Sequence, residues 1–169
     1  MTRSFYLIVL IAFAAHSQSD LALQAFGPFN AHWKGVFKVY SYHGQLLDEL
    51  EVEQRYWWEG DTQMATFIER YRDGRVVKAQ ARNYIKDGSM YCEVKKDTGE
   101  ETVHLGHYEN GTLFWYRKTP DNNTIESFKE RVVKNPAGKA YFIDGFGVYG
   151  QGDHASYFLF EGRYEEVPE

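Results

Sequence analysis

Between residues 46 and 58 apolar and charged side chains alternate, with Leu50, Val52, Tyr56 and Trp58 on one side and Glu49, Glu51, Glu53 and Arg55 on the other. Successive side chains of a strand point to opposite faces, so this period of two predicts a strand with one dry and one wet face. Residues 75–86 repeat the pattern, with Val77, Ala79, Ala81 and Ile85 set against Lys78, Gln80, Arg82 and Lys86. The inward residues of this second strand are small and leave space. Turn signals separate such runs at short intervals, among them His43-Gly44, Asp73-Gly74, Asp87-Gly88, Asp97-Thr98-Gly99, Asn110-Gly111 and Pro136-Ala137-Gly138. Asp-Gly and Asn-Gly supply the positive φ that two-residue hairpins need. The pattern predicts an all-β, antiparallel, up-and-down meander of about ten strands. Such a meander is expected to close into a barrel of about 8–10 strands, because an open sheet leaves adhesive edges.

Ahead of the first strand, Asp20-Leu21-Ala22-Leu23-Gln24-Ala25-Phe26 reads in two ways. It forms a short helix, N-capped by Asp20, ended by Gly27-Pro28 and plugging one end of the barrel, or it is a leader left by processing. The first residues carry a targeting pattern: Arg3, an apolar run from Phe5 to Ala15, then Ala15-His16-Ser17 before polar residues. This fits a secretory signal peptide cleaved after Ser17, since the run is too short to span a bilayer. The expected organisation is a signal peptide over 1–17, a leader or short helix over 18–30 and one barrel domain over 31–169. The mature protein is expected to be secreted or periplasmic, with no membrane anchor after cleavage.

Composition narrows the function classes. The 169 residues hold 12 Phe, 13 Tyr and 4 Trp, enough aromatic area for one packed core, and a length suited to one domain. Lys and Arg number 19 against 24 Asp and Glu, a net charge of -5 that offers no basic surplus to a nucleic-acid backbone. Nucleic acid is not an expected partner. Cys92 is the only cysteine, so no intrachain disulfide forms. It shares a strand face with Met90 and Val94, which predicts a buried, inert thiol.

The stretches Asn30-Ala31-His32-Trp33-Lys34-Gly35, Trp58-Glu59-Gly60-Asp61, Glu69-Arg70-Tyr71-Arg72-Asp73-Gly74, Gly111-Thr112-Leu113-Phe114-Trp115-Tyr116-Arg117 and Phe146-Gly147-Val148-Tyr149-Gly150 together resemble the lipocalin-like (calycin) barrels. The resemblance is closest to the uncharacterised lipocalin-like proteins of bacterial cell envelopes. It covers most of residues 30–165 as a pattern. Ala31 stands where the lipocalin signature has a glycine two places before its Trp. The resemblance implies a cup for a small apolar ligand and a basic residue packed on Trp33, for which Arg163 is the nearest candidate.

Several constellations look chemical and have plainer readings. Gly145-Phe146-Gly147-Val148-Tyr149-Gly150 matches a dinucleotide fingerprint in letters, but only 19 residues follow it and no helix is predicted there. Alternate glycines in a strand instead allow a bend or a close approach. His104 and His107 are three apart and so point to opposite faces of a strand, which reads as surface or rim histidines rather than a metal pair. Glu49, Glu51 and Glu53 read as a solvated face. In 112–118, Leu113, Trp115 and Arg117 share one face and Phe114 and Tyr116 the other, so either set faces inward. If the first does, Arg117 is placed to bind a ligand carboxylate.

These observations lead to an exported barrel that binds a small apolar or amphipathic ligand: a fatty acid, lipid or pigment. Candidate lining residues are Trp58, Ala79, Ala81, Trp115 and Phe158, with Arg117 as anchor. No catalytic or metal-binding motif stands out, and none calls for a cofactor. Aromatics on both faces of 141–143 and 157–160 leave outer surface to be covered by the N-terminal segment, a homodimer partner or another protein. The alternatives are a structural or interaction module with a filled barrel and an aromatic outer surface, and a haem-binding or barrel-mouth enzyme.

Overall fold

The computed structural model describes residues 20–119, 123–136 and 138–168. The expected signal peptide, residues 1–17, lies outside them. Ten strands follow in order: β1 (His32–Ser41), β2 (Leu46–Glu59), β3 (Thr62–Tyr71), β4 (Val76–Lys86), β5 (Ser89–Lys96), β6 (Glu101–Glu109), β7 (Thr112–Thr119), β8 (Thr124–Asn135), β9 (Gly138–Tyr149) and β10 (Ser156–Glu166). Each pairs antiparallel with its sequence neighbours, and β1 pairs with β10 from Trp33 opposite Glu166 to Ser41 opposite Phe158. The result is the closed up-and-down barrel that the alternation predicts, with no free sheet edge. The turns work as their residues require: Asp87 and Gly88 have φ of 51° and 76°, and Asn110 and Gly111 have 51° and 78°.

Residues 20–26 are helical (α1) and run into a 3-10 turn, Gly27–Phe29. This segment closes one end of the barrel, which decides between the plug and the loose leader. Ala22, Ala25, Phe26 and Phe29 are buried while Leu23 and Gln24 face out, so one side of α1 belongs to the core. Phe26 stacks on Trp115 at 6.2 Å between ring centres, and Phe29 meets Tyr141 edge-on at 5.0 Å. Trp33, fully buried, donates its indole N–H to the Phe29 carbonyl at 2.8 Å and abuts Tyr141. Each ring removes apolar area worth about 2–3 kcal/mol from water, with about 1 kcal/mol more for each well-placed ring pair. No helix among the described residues is long and apolar enough to cross a membrane.

The inner wall follows strand parity. On β7, Leu113 and Trp115 are buried and Phe114 and Tyr116 exposed, so Arg117 shares the inward face. Gly106 on β6 makes room for Trp115: a β-carbon there would come within 2.3 Å of the indole. The glycines of the fingerprint-like run lie on the barrel wall, where β-carbons on Gly145 and Gly147 would collide with Phe128 and with Tyr149 and Phe160. On the outer face of β2, Glu49 and Glu53 pair with Lys38, Arg72, His32, Lys34 and Arg70. Arg163 also stands outside, bonded to Asp144 at 2.7 Å and over the Phe142 ring, and so does not pack on Trp33.

Candidate functional site

Large rings meeting across a ten-stranded barrel do not fill it, and small residues on β4 leave room. A cavity of about 210 Å³ remains. Near α1 it is bounded by Gln54, Tyr56, Asn83, Trp115, Tyr141 and Tyr164; further along come Phe37, Phe67, Ala79, Val94, His104 and Phe128. Phe37, Phe160 and Phe128 form a stack across the wall, with centres 5.8 and 5.4 Å apart.

Polar groups interrupt this apolar lining at two levels. Near α1, Gln63 donates from Nε2 to the Phe26 carbonyl at 2.8 Å, and Asn83 donates from Nδ2 to Gln63 Oε1 at 3.1 Å. Asn83 Oδ1 then has no hydrogen-bond partner among the described residues although it is buried. An unmet buried acceptor costs about 1–3 kcal/mol. Tyr56 donates to Gln54 at 3.1 Å, and Tyr141 donates to Glu130 at 2.9 Å. Glu130 lines the cavity and makes no ion pair with a Lys, Arg or His among the described residues. Burial pushes its carboxyl up to about 7, against the hydrogen bonds of Tyr141 and Trp115. Burial likewise raises the Tyr56, Tyr141 and Tyr164 hydroxyls and the Cys92 thiol, so all four stay protonated near neutrality.

At the end away from α1, Glu126 gathers three partners. Arg117 donates from Nε to Oε2 at 2.8 Å and lies 2.8 Å from Oε1 through Nη2; Tyr149 donates to Oε1 at 2.6 Å. His104 Nε2 lies 3.1 Å from Oε2. Burial raises the Glu126 pKa, but the bonds from His104, Arg117 and Tyr149 outweigh it and hold the carboxyl at about 2. His104 is thus a buried inner-wall residue rather than a surface or rim one, because parity pairs it with the inward row, while His107 is exposed. No group of three or more His, Cys, Asp or Glu able to hold a metal occurs among the described residues.

Of the residues singled out from sequence, Ala79 and Trp115 line the cavity. Ala81 is buried in the wall, and Trp58 packs partly buried against the core. Phe158 rests against Tyr149, 5.6 Å between ring centres, and Arg117 is committed to Glu126. Sequence reasoning missed Asn83, Glu126 and Glu130. The available signal was parity: Asn83 continues the row Ala79, Ala81, and Glu126 and Glu130 flank Phe128 at alternate positions.

No family model matches the chain, and no curated protein matches it. Among solved structures, the crystal structure of Rv2717c from M. tuberculosis is similar over 87% of this chain and 98% of that one, at 14% identity and a TM-score of 0.53. A redesigned β-barrel is similar over 86% of this chain and 96% of its own, at 11% identity and a TM-score of 0.45. At 14% identity the likeness to Rv2717c is one of fold.

Proposed function

We propose that this protein is a binding barrel for a small amphipathic molecule. The observation that carries the reading is the cavity of about 210 Å³, walled by aromatic and aliphatic side chains and carrying a few inward polar groups. Ligand sites have that composition: apolar area supplies affinity and a few polar atoms supply orientation. The volume lies between a cavity of about 150 Å³ that holds benzene and clefts of about 300 Å³ and more that hold drug-sized ligands. A ring-sized or short-chain ligand fits it; a long fatty acid or a porphyrin requires the barrel to open. Arg117 can serve a ligand carboxylate only by releasing Glu126, whose two oxygens it already holds.

Two other readings keep specific support. An interaction module has its outer surface in Tyr116, Phe146 and Leu159, which are exposed along one level of the wall, but lacks the filled interior. A barrel enzyme has in Glu130 a titratable group near neutrality facing a cavity.

Native mass spectrometry of the protein from its own source, followed by denaturation, tests the three together. A discrete extra mass lost on denaturation supports the binding barrel, and a chemically altered mass after incubation with that molecule supports the enzyme. A doubled mass with no small molecule, persisting after exposure to a metabolite extract, overturns the carrier in favour of the interaction module.

A further inference from the structure

Two acceptors face the cavity incompletely matched: one lacks a donor and the other lacks a cation. The Phe26 carbonyl can only accept, so Gln63 must present Nε2 to it and Oε1 to Asn83. Asn83 must then present Nδ2 to Gln63, which leaves Oδ1 as the atom without a donor. Asn83 is 7% exposed and lines the cavity, so a donor for that oxygen has to arrive with whatever occupies the space.

Glu130 is the second acceptor. Tyr141 and Trp115 give it neutral hydrogen bonds, and protonated groups surround it where a cation would be expected. Tyr56 on β2, Cys92 on β5, Tyr141 on β9 and Tyr164 on β10 face it, and none carries positive charge. The cavity lining includes no Lys or Arg, and its other carboxylate, Glu69, adds negative character. A carboxylate ligand would therefore meet two acidic side chains and no free cation.

Resting on the binding-barrel reading, we infer that the cavity selects small amphipathic molecules bearing a basic nitrogen, the ammonium being matched to Glu130 and a further donor to Asn83 Oδ1. Ring or short-chain amines have the required size and polarity, and fatty acids are selected against. Glu130 is half-buried and part of its desolvation is already built into the fold, so the incoming cation meets an acceptor less screened than a surface carboxylate.

Three probes of one shape test this on the full chain: toluene, benzylamine and benzoate, titrated calorimetrically at pH 8. Benzylamine is expected to bind at least tenfold tighter than toluene, with benzoate weakest. Glu130→Gln keeps an acceptor for Tyr141 and is expected to erase the benzylamine advantage while toluene still binds, which also reports that the variant is folded. Asn83→Ala is expected to weaken benzylamine more than toluene. Benzoate binding as tightly as benzylamine, or an undiminished benzylamine advantage in Glu130→Gln, overturns the amine selectivity and leaves the binding barrel standing. Failure of all three probes, toluene included, overturns both.

Discussion

Glu126 and Glu130 stand four residues apart on the inward face of β8, and the barrel holds them on opposite sides of the ordinary glutamate pKa, at about 2 and about 7. Both are desolvated. Glu126 has a guanidinium, an imidazole and a phenol as partners, whereas Glu130 has only the neutral donors Tyr141 and Trp115. Near one end, then, the barrel stores a closed polar cluster; nearer α1 it keeps a carboxyl with no cationic partner among the described residues. Opposite shifts on one strand give opposite dependences of stability on pH.

Glu130→Gln is expected to stabilise the protein in neutral and alkaline solution. Below the unfolded value near 4.5 both states of Glu130 are protonated and it contributes nothing. Between 4.5 and about 7 the unfolded chain ionises while the native one keeps its proton, so stability falls as pH rises. Above 7 the cost is constant, on the order of 3 kcal/mol. Urea midpoints at pH 4 and pH 8 check this: the variant should match the parent at pH 4 and exceed it at pH 8. Equal gains at both pH values would show that packing rather than ionisation causes the change.

Glu126→Gln is expected to act in the other direction. The lowered pKa of Glu126 adds stability that is complete above about 4.5 and lost as pH falls toward about 2. At pH 7 the variant should lose on the order of 3 kcal/mol, since it also leaves Arg117 without its carboxylate. The deficit should shrink steadily in urea titrations between pH 4.5 and 2. A deficit that does not change over that range would refute the electrostatic account.

Alternation along β2 and β4 made the barrel legible, because a period of two assigns each residue to a wall and Asn-Gly or Asp-Gly turns join the walls. The inward set on β7 was not legible: Leu113 and Trp115 compete with Phe114 and Tyr116 on equal terms, and only Gly106 on the neighbouring strand leaves space for Trp115. Glu130 was hidden for a related reason. Within Lys129-Glu130-Arg131 it looks like solvated surface, and only closure of the barrel turns it toward the centre. Pairwise facts such as the Arg117 and Glu126 contact depend on register across strands, which one sequence does not specify.

Gly106→Ala is expected to destabilise the barrel although Ala is the better strand residue. A β-carbon at 106 falls 2.3 Å from Trp115 and 2.9 Å from the Met90 β-carbon, so the indole must move away from its stack on Phe26. Overpacking of this kind costs about 1–3 kcal/mol. A lowered urea midpoint together with altered Trp fluorescence checks it; an unchanged midpoint would mean that the wall relaxes freely.

Cys92 is expected to resist thiol reagents in the native state. Its thiol sits on the cavity wall with its pKa raised by burial and by the nearby Glu130 and Glu93, which suppresses the reactive thiolate. Labelling in native buffer should be slow and should reach one equivalent rapidly in urea. Fast native labelling would show that reagent enters the barrel freely.

Phe26→Ala separates the two roles of α1, as core and as end-plug. Phe26 is fully buried, and its ring stacks on Trp115 while its backbone carbonyl, which the substitution keeps, accepts from Gln63. Truncating a buried Phe costs about 3–5 kcal/mol, part of it from the hole left behind. In a barrel with an adjoining cavity that hole enlarges the cavity, so an apolar ligand should restore part of the loss by binding only the native state. The variant is therefore expected to melt on the order of 10 °C lower. Saturating toluene should raise its melting temperature more than it raises the parent's. Leu23→Ala, on the exposed side of the same helix, should change stability by no more than about 0.5 kcal/mol. Similar small effects for both substitutions would mean that α1 is not part of the core, and a large loss that toluene does not rescue would mean that the hole beneath Phe26 stays closed to ligands.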